Sequence, residues 1–395
     1  MIRRCAQLMP DKRDNDTDDM NKITEIKQGH PVWALGLMSG TSMDGIDGAL
    51  VLTDGETIFE TGPALNIAYD AEFRARLALA VSGKADDGEI LALTDALTAR
   101  HGDVVRDLLA DWPGNVAVIG FHGHTLYHRP KQGGTPGETC QIGDGAQLAR
   151  LSNLPVVNDF RTQDMLAGGE GAPFAPLYHL ARLKTYSGTR PVVILNLGGV
   201  ANVTWVGNDP ENNDDQLLAF DTGPACAFID DWVLAHEGRP FDQDGALAAS
   251  GTVSKTALAA LLDDPWFSEK PPKSLDRFGF DLAPVAGLSA SDGAATLTAF
   301  TAGALARALE HFPERPTGWF ATGGGRHNPV LMAAIGDCVG CPIGRVEDLG
   351  WRGDTLEAEA FGFLAVRSLR GLPLSHPRTT GAERAVTGGR LHYPD

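Results

Sequence analysis

Two stretches of this 395-residue chain share one grammar, and that grammar narrows what the chain can fold into. Residues Val32 to Met38 form a short apolar run, Gly40 to Gly45 carries turn chemistry, and Ile46 to Leu52 resumes a strand-like pattern. Residues Pro191 to Leu197 repeat the apolar run, Gly198-Gly199 makes the turn, and Val200 to Val206 leaves it. One strand–glycine turn–strand unit in each half points to a duplicated architecture, although no residue-level repeat links the two. Apolar spacing predicts helices over 71–80, 90–112, 144–151, 177–183, 225–236, 292–312 and 357–369. Short apolar runs at 116–120, 155–158 and 318–322 read as further strands. Strands alternating with helices define an α/β fold, and the length fits two domains.

Charge excludes some partners. The chain has 33 basic and 51 acidic residues, a formal net charge of −18. Such a surface repels phosphate backbones and anionic lipid, so no nucleic acid and no membrane is expected as a partner. The apolar runs fall far short of the ~18 residues a membrane span needs. No apolar stretch follows Arg3 and Arg4, so no signal peptide is read and the expected location is cytoplasmic. Five scattered cysteines do not make a disulfide framework, and Cys338-x-x-Cys341 reads as two small buried residues. Residues 1–30 carry six charges of each sign without apolar periodicity, which predicts a disordered tail. Sequence alone leaves a homodimer open.

The P-loop and the G-x-G-x-x-G fingerprint are both missing. Instead, three glycine turns end strands: Gly40-Thr41-Ser42, Gly198-Gly199 and Gly323-Gly324-Gly325. Singly, each is more often a plain turn. With Asp44 and Asp221 beside similar turns, they point together to an interdomain cleft. Such a cleft binds a nucleoside triphosphate and offers carboxylates to a hydrated Mg²⁺ and to base chemistry. Asp221, in Phe220-Asp-Thr-Gly-Pro224, reads either as a general base at a rigid strand end or as a helix N-cap. His122, His124 and His128 share a strand face, but no carboxylate or cysteine nearby completes a metal set, so hydrogen-bonding roles are expected. Arg161, beside Asp159 and Asp164, reads either as part of a surface ion-pair network or as a fork for a substrate carboxylate.

Eight blocks, in order, carry a resemblance. They are Gly36-Leu-Met-Ser-Gly-Thr-Ser-Met-Asp-Gly-Ile-Asp47, Gln141-Ile-Gly-Asp144, Asp159-Phe-Arg-x-x-Asp164, Gly168-Gly-x-Gly-Ala-Pro173, Asn196-Leu-Gly-Gly-x-x-Asn202, Phe220-Asp-Thr-Gly-Pro224, Gly323-Gly-Gly-x-x-Asn-Pro329 and Glu357-Ala-x-x-Phe361. The chain resembles the anhydro-N-acetylmuramic acid kinases over roughly residues 31–390. The resemblance implies a two-lobed actin-like ATPase fold, shared with sugar kinases, actin and Hsp70, with duplicated RNase H-like cores. It implies ATP and Mg²⁺ as cofactors and 1,6-anhydro-N-acetylmuramic acid as substrate. The ring is opened and O6 phosphorylated, giving N-acetylmuramic acid 6-phosphate in cell-wall recycling. It also implies that Gly40, Thr41, Ser42, Met43, Asp44, Gly45, Ile46 and Asp47 form the ATP loop, with Asp44 on the metal. Asn196, Gly198, Gly199, Gly323, Gly324 and Gly325 complete the nucleotide site. Asp221 is the expected base, Glu357 its helper in placing water or sugar, and Arg161 and His124 touch the sugar. Lobe one is expected to span 31–164 plus about 379–395, and lobe two 165–378. The chain departs from the family pattern at Ala225-Cys226 and at His124. Two other readings stay open: an ordinary sugar kinase of the same fold, and an actin- or Hsp70-like ATP switch.

Overall fold

Each glycine-turn unit seeds a sheet. The computed structural model describes residues 23–40, 42–129, 131, 137–209, 214–275 and 279–394. In the first half, β1 (Val32–Ser39), β2 (Gly45–Thr53) and β3 (Ile58–Ala68) form an antiparallel meander. Strand β4 (Val116–Arg129) then pairs parallel with β1, and β6 (Val156–Asn158) parallel with β4. The hairpin partner β5 (Glu138–Ile142) extends β4. In the second half, β7 (Val192–Leu197), β8 (Val200–Val206) and β9 (Leu217–Pro224) form the meander. Strand β10 (Gly318–Thr322) pairs parallel with β7, and β11 (Gly344–Arg345) parallel with β10. Both sheets therefore run third–second–first–fourth–fifth, the RNase H-like order, and the expected duplication exists as topology. A last strand, β12 (Arg390–His392), returns to β6 at the edge of the first sheet.

The helix Leu356–Leu369 lies on the first sheet, over β1, β2 and β4. It comes so close that only glycine fits beneath it. A Cβ on Gly36 would stand 1.7 Å from Ala358 O, and one on Gly120 2.0 Å from Phe361 O. The boundary drawn from sequence placed these residues in lobe two, and their packing places them on lobe one. Chain order misled because this helix is buried on nearly every side, from Ala358 through Val366. Its outer face meets the helix Pro176–Leu183, which packs in turn on β8 and β9. One apolar cluster joins Ala34, Val51 and Val118 of the first lobe with Ile194 and Leu217 of the second.

The predicted tail also needs correction where it is described. Residues 23–27 form a helical turn, and Ile23 and Ile26 enter that same core cluster, Ile26 with no exposed surface. Two isoleucines three apart make one turn of apolar stripe, too short to stand out from charged neighbours. Residues 1–22 lie outside the described residues. Strands β3 and β5 were not expected either. Gly62-Pro63 interrupts β3 and reads as a breaker, but it falls where the β2–β3 register shifts between Ala49 and Val51, at a position an edge strand tolerates. Among the described residues, no single helix is long and apolar enough to cross a membrane.

The burial of Ile26 yields a test. Ile26→Ala should destabilise the protein by ~2–5 kcal/mol, seen as a lower urea midpoint at unchanged slope. An unchanged midpoint would show that the turn at 23–27 is not part of the cooperative core.

Candidate active site

Strand β9 is buried along its whole length and delivers Asp221 near its end, opposite Asn202 of β8. The next residues turn the chain into the helix Cys226–Glu237. Asp221 does not cap that helix: the N-cap position is Ala225, with no side-chain cap bond. The backbone N–H of Asp221 donates to Lys273 O at 2.9 Å, and Leu275 N–H donates to Asp221 Oδ2 at 2.8 Å. Only 7% of the residue is exposed. Burial pushes its carboxyl up to about 7, against the opposing pull of the Leu275 N–H and the Arg161 charge. A carboxylate that titrates near neutrality suits general-base work.

Arg161 faces Asp221 and Glu357, and both carboxylates act on its charge, although burial leaves the guanidinium at about 10. Its Nε and Nη2 donate to His122 Nε2 at 3.1 and 3.0 Å, and Nη1 to Gly171 O at 2.6 Å. His122 Nδ1 sits 3.0 Å from Gly123 O, which fixes the neutral ring with its proton on Nδ1. Burial and the adjacent arginine hold that ring well below the usual histidine range. Arg161 is therefore a built-in part of the cleft wall and not a surface ion pair. His124, the histidine expected at the sugar, has no exposed surface and pairs through Nδ1 with Ser39 Oγ at 2.9 Å. Strand β4 aims His122, not His124, at Arg161. His128 bonds Thr139 Oγ1, so the three histidines hydrogen-bond as expected and do not converge.

Thr41 lies outside the described residues. The rest of its loop is a tight turn, with Met43 N–H bonded to Gly40 O and Met43 at φ 55°. Ser42 Oγ donates to Asp44 Oδ1 at 2.8 Å, and Asp44 O accepts from Tyr69 N–H. Gly45 and Ile46 open β2, where Ile46 pairs with Ile67 of β3 and its side chain enters the core. Asp47 accepts from Asn66 Nδ2 at 2.7 Å. Burial pushes the Asp47 carboxyl up to about 7, with the charges of Asp44, Glu357 and Asp354 pushing the same way. Glu357 opens to solvent at the start of its helix, yet the protein around it and Asp44 raise its carboxyl as well. A cation relieves such crowding. Among the described residues, no three acidic, histidine or cysteine side chains close on one point.

The second-lobe turns meet one another. Asn196 is the next-to-last residue of β7, and its Nδ2 reaches Glu357 Oε1 at 3.4 Å. Gly323 sits against it at φ 78°, where an added Cβ would be 2.5 Å from Asn196 Oδ1. Gly324 has open space before it. The carbonyls of Gly198 and Gly199 accept from Cys226 and Ala225 N–H, tying that turn to the helix start. The buried Arg326 braces the triple-glycine turn: Nη1 donates to Gly323 O at 2.9 Å, while Glu347 and Asp354 take the rest of its fork.

Three residues here carried no readable signal in sequence, Glu170, Lys273 and Arg326, and His122 was legible only as one of three hydrogen-bonding histidines. Glu170 stood at the unspecified position of its glycine-rich block, and Lys273 followed Pro271-Pro272 outside every block. Beside His122, a pocket of about 260 Å³ is lined by Thr139, Gln141, Asn158, Asp159 and Thr162 among others.

Two RNase H-like cores that bring carboxylates and glycine turns to one cleft define the actin-like ATPase and sugar-kinase class. A family profile described as anhydro-N-acetylmuramic acid kinase matches residues 32–394. A protein of that name from Rhodospirillum rubrum is 52% identical over 360 residues, covering 91% of this chain and 93% of its own. Proteins of the same name from Paramagnetospirillum magneticum and Gluconobacter oxydans are each 51% identical over 367 residues, covering 91% of this chain and 99% of theirs. The chain belongs to the anhydro-N-acetylmuramic acid kinase family.

The buried base predicts a stability signature. Because the folded-state pKa of Asp221 lies above its unfolded value, the folded form holds the proton longer, and stability falls as pH rises from about 4 to about 7. Asp221→Asn removes that loss and keeps an acceptor for Leu275 N–H. Its melting temperature should exceed wild type by at least about 2 °C at pH 8, with the gap shrinking at pH 5. Equal melting temperatures at pH 8 would show that the carboxylate is not destabilised by burial.

Proposed function

We propose that this protein is an ATP-dependent kinase that opens 1,6-anhydro-N-acetylmuramic acid with water and phosphorylates O6, a step of peptidoglycan recycling. The observation that carries this reading is Asp221: a carboxylate buried at a rigid strand end, poised near neutrality, facing Arg161 across the cleft. The anhydro sugar has no free O6 hydroxyl. Water must therefore attack C1, giving its proton to Asp221, as the C1–O6 bond breaks. The electron pair released on O6 attacks the γ-phosphorus of ATP in line, ADP leaves, and N-acetylmuramic acid 6-phosphate results. No separate acid is needed for O6, because the phosphoryl group captures it.

The other residues orient and stabilise. Arg161, fixed by His122 and Gly171, presents its fork to the substrate carboxylate. The pocket beside His122 seats a polar substituent of the sugar. Glu357, held by Asn196, steadies the attacking water or the sugar. Backbone groups of residues 40–47, Asn196 and the turns at 198–199 and 323–325 cradle the nucleotide, with Asp44 and Asp47 turned to its metal side. Mg²⁺, when bound, spreads the charge on the phosphates. His124 supports Ser39 beneath the loop and does not touch the sugar.

The test is the mass of the product. Protein incubated with ATP, Mg²⁺ and the anhydro sugar should yield a sugar heavier by phosphate plus water. A gain of phosphate alone would mark an ordinary kinase, and no product would remove the reading. In Asp221→Asn, turnover should fall by at least ~10², with sugar affinity within several-fold of wild type.

A further inference from the structure

Glu170 is a second carboxylate buried beside the base, and the chemistry above makes no use of it. It is 6% exposed. Ser274 Oγ donates to its Oε2 at 3.1 Å, and Lys131 Nζ stands 3.6 Å from Oε1. Its backbone N–H donates to Thr380 O at 2.6 Å, fixing it to the short helix Pro377–Thr380 that packs on β9. The residues on either side of Ser274 grip Asp221: Lys273 O accepts from the Asp221 N–H, and Leu275 N–H donates to the Asp221 carboxylate. Three consecutive residues thus hold the base at its backbone and its side chain while the middle one holds Glu170.

Lys273 completes the arrangement. Its side chain is equally buried, with Nζ bonded to Trp266 O at 2.8 Å and Phe267 O at 3.2 Å and lying 4.0 Å from the Trp266 ring centroid. Its hydrogen bonds go to carbonyl oxygens, and the carboxylates that act on its charge are Glu269 and Asp221. One short segment thus bonds the base, bonds a buried anion and carries a buried cation. The distance dependence of charge interactions makes such fixed neighbours effective in a poorly solvated cleft.

We propose that Lys273–Leu275 is a strap that binds Asp221 to Glu170, and that Glu170 and Lys273 are opposed positioning residues for the base. Glu170 makes Asp221 readier to take a proton from water, and Lys273 restrains it. This rests on the reading of Asp221 as the base. The charged groups acting on Asp221 are Arg161, Glu170 and Lys273, with the Leu275 N–H as its direct donor. Glu170 raises the Asp221 carboxyl while Arg161 and Lys273 lower it, and burial raises that of Glu170 itself. Burial holds the Lys273 ammonium at about 8, so its charge is present through the neutral range.

The experiment is kcat/KM for the anhydro sugar against pH, on full-length Glu170→Gln, Lys273→Met and Ser274→Ala, at saturating Mg²⁺ and ATP. The titration of ATP is common to all variants and cancels in comparison with wild type. A base works when ionised, so activity rises with pH through its titration. Glu170→Gln should move the midpoint of that rise down by roughly half a unit or more, and Lys273→Met should move it up by a similar amount. Ser274→Ala removes one hydroxyl and should move it down by less. Unmoved midpoints, or the same direction of shift in Glu170→Gln and Lys273→Met, would overturn the proposal. A uniform loss of kcat at every pH would also overturn it, as the mark of a merely structural role. If Lys273→Met does not fold, the other two variants decide. Full activity in Asp221→Asn would sink the base itself. An inactive Asp221→Asn with unmoved midpoints in the strap variants would sink the strap alone.

Discussion

A carboxylate with no exposed surface, Glu359, holds the two lobes in register. Tyr178 Oη donates to its Oε2, as does Arg182 Nη1 at 3.0 Å, and Arg352 gives Nε and Nη2 to its Oε1 at 2.8 and 2.6 Å. Arg352 Nη1 continues to Gly62 O in β3. Tyr178 and Arg182 belong to the helix that packs on the second sheet, and Glu359 to the helix that lies on the first. A charge taken out of water survives only when its partners replace the lost hydration. Glu359 therefore ties both helices to one geometry, and losing one partner of such a pair typically costs ~3–5 kcal/mol. Glu357 lies two residues earlier on the same helix, and its place at the mouth of the cleft depends on that anchor.

The cleft above this anchor concentrates negative charge from both lobes. Asp47 is held above its ordinary range by burial and by neighbouring carboxylates, and Glu357, open to solvent, is raised by the protein around it and by Asp44. Burial is the largest cause for Asp221 as well, but its next influences, the Leu275 N–H and the Arg161 charge, pull it down. These environments divide the labour. The first group would gain most from a cation, which supports its proposed place at the phosphate end. The second has an N–H donor and a guanidinium but no open water, and suits proton abstraction. Arg161 stands between the two and answers to both.

Much of this was legible in residue order. Each glycine-turn unit became the β1–β2 or β7–β8 hairpin because an apolar run on either side of a turn leaves few other ways to bury both strands. Asp221 was legible because Phe220 before it and Gly223-Pro224 after it mark a strand end. What sequence could not show was which long-range partner each side chain meets. His122 and His124 share a strand face by spacing, yet a bulge at Gly123, with φ 75°, shifts the β1–β4 register and turns His122 toward Phe361 and Arg161 and His124 toward Ser39 on the other face. The helix 356–369 looks like any apolar helix, and its seat on lobe one follows from Gly36 and Gly120, some 320 and 240 residues earlier. Glu170 and Lys273 flank the base only because β9, the loop at 168–171 and the strap at 273–275 converge in space.

The proposed reaction turns on the fate of one oxygen. Water attacks C1, and the oxygen bridging C1 and C6 becomes the phosphoryl acceptor in the same site. An anhydro sugar carrying ¹⁸O at that bridge tests this directly, with the product read by phosphorus NMR and fragment mass. The label should appear in the ester oxygen between C6 and phosphorus, with unlabelled oxygen from water at C1. Label at C1, with an unlabelled ester oxygen, would show that the C6–O bond breaks instead and would contradict the mechanism built around Asp221.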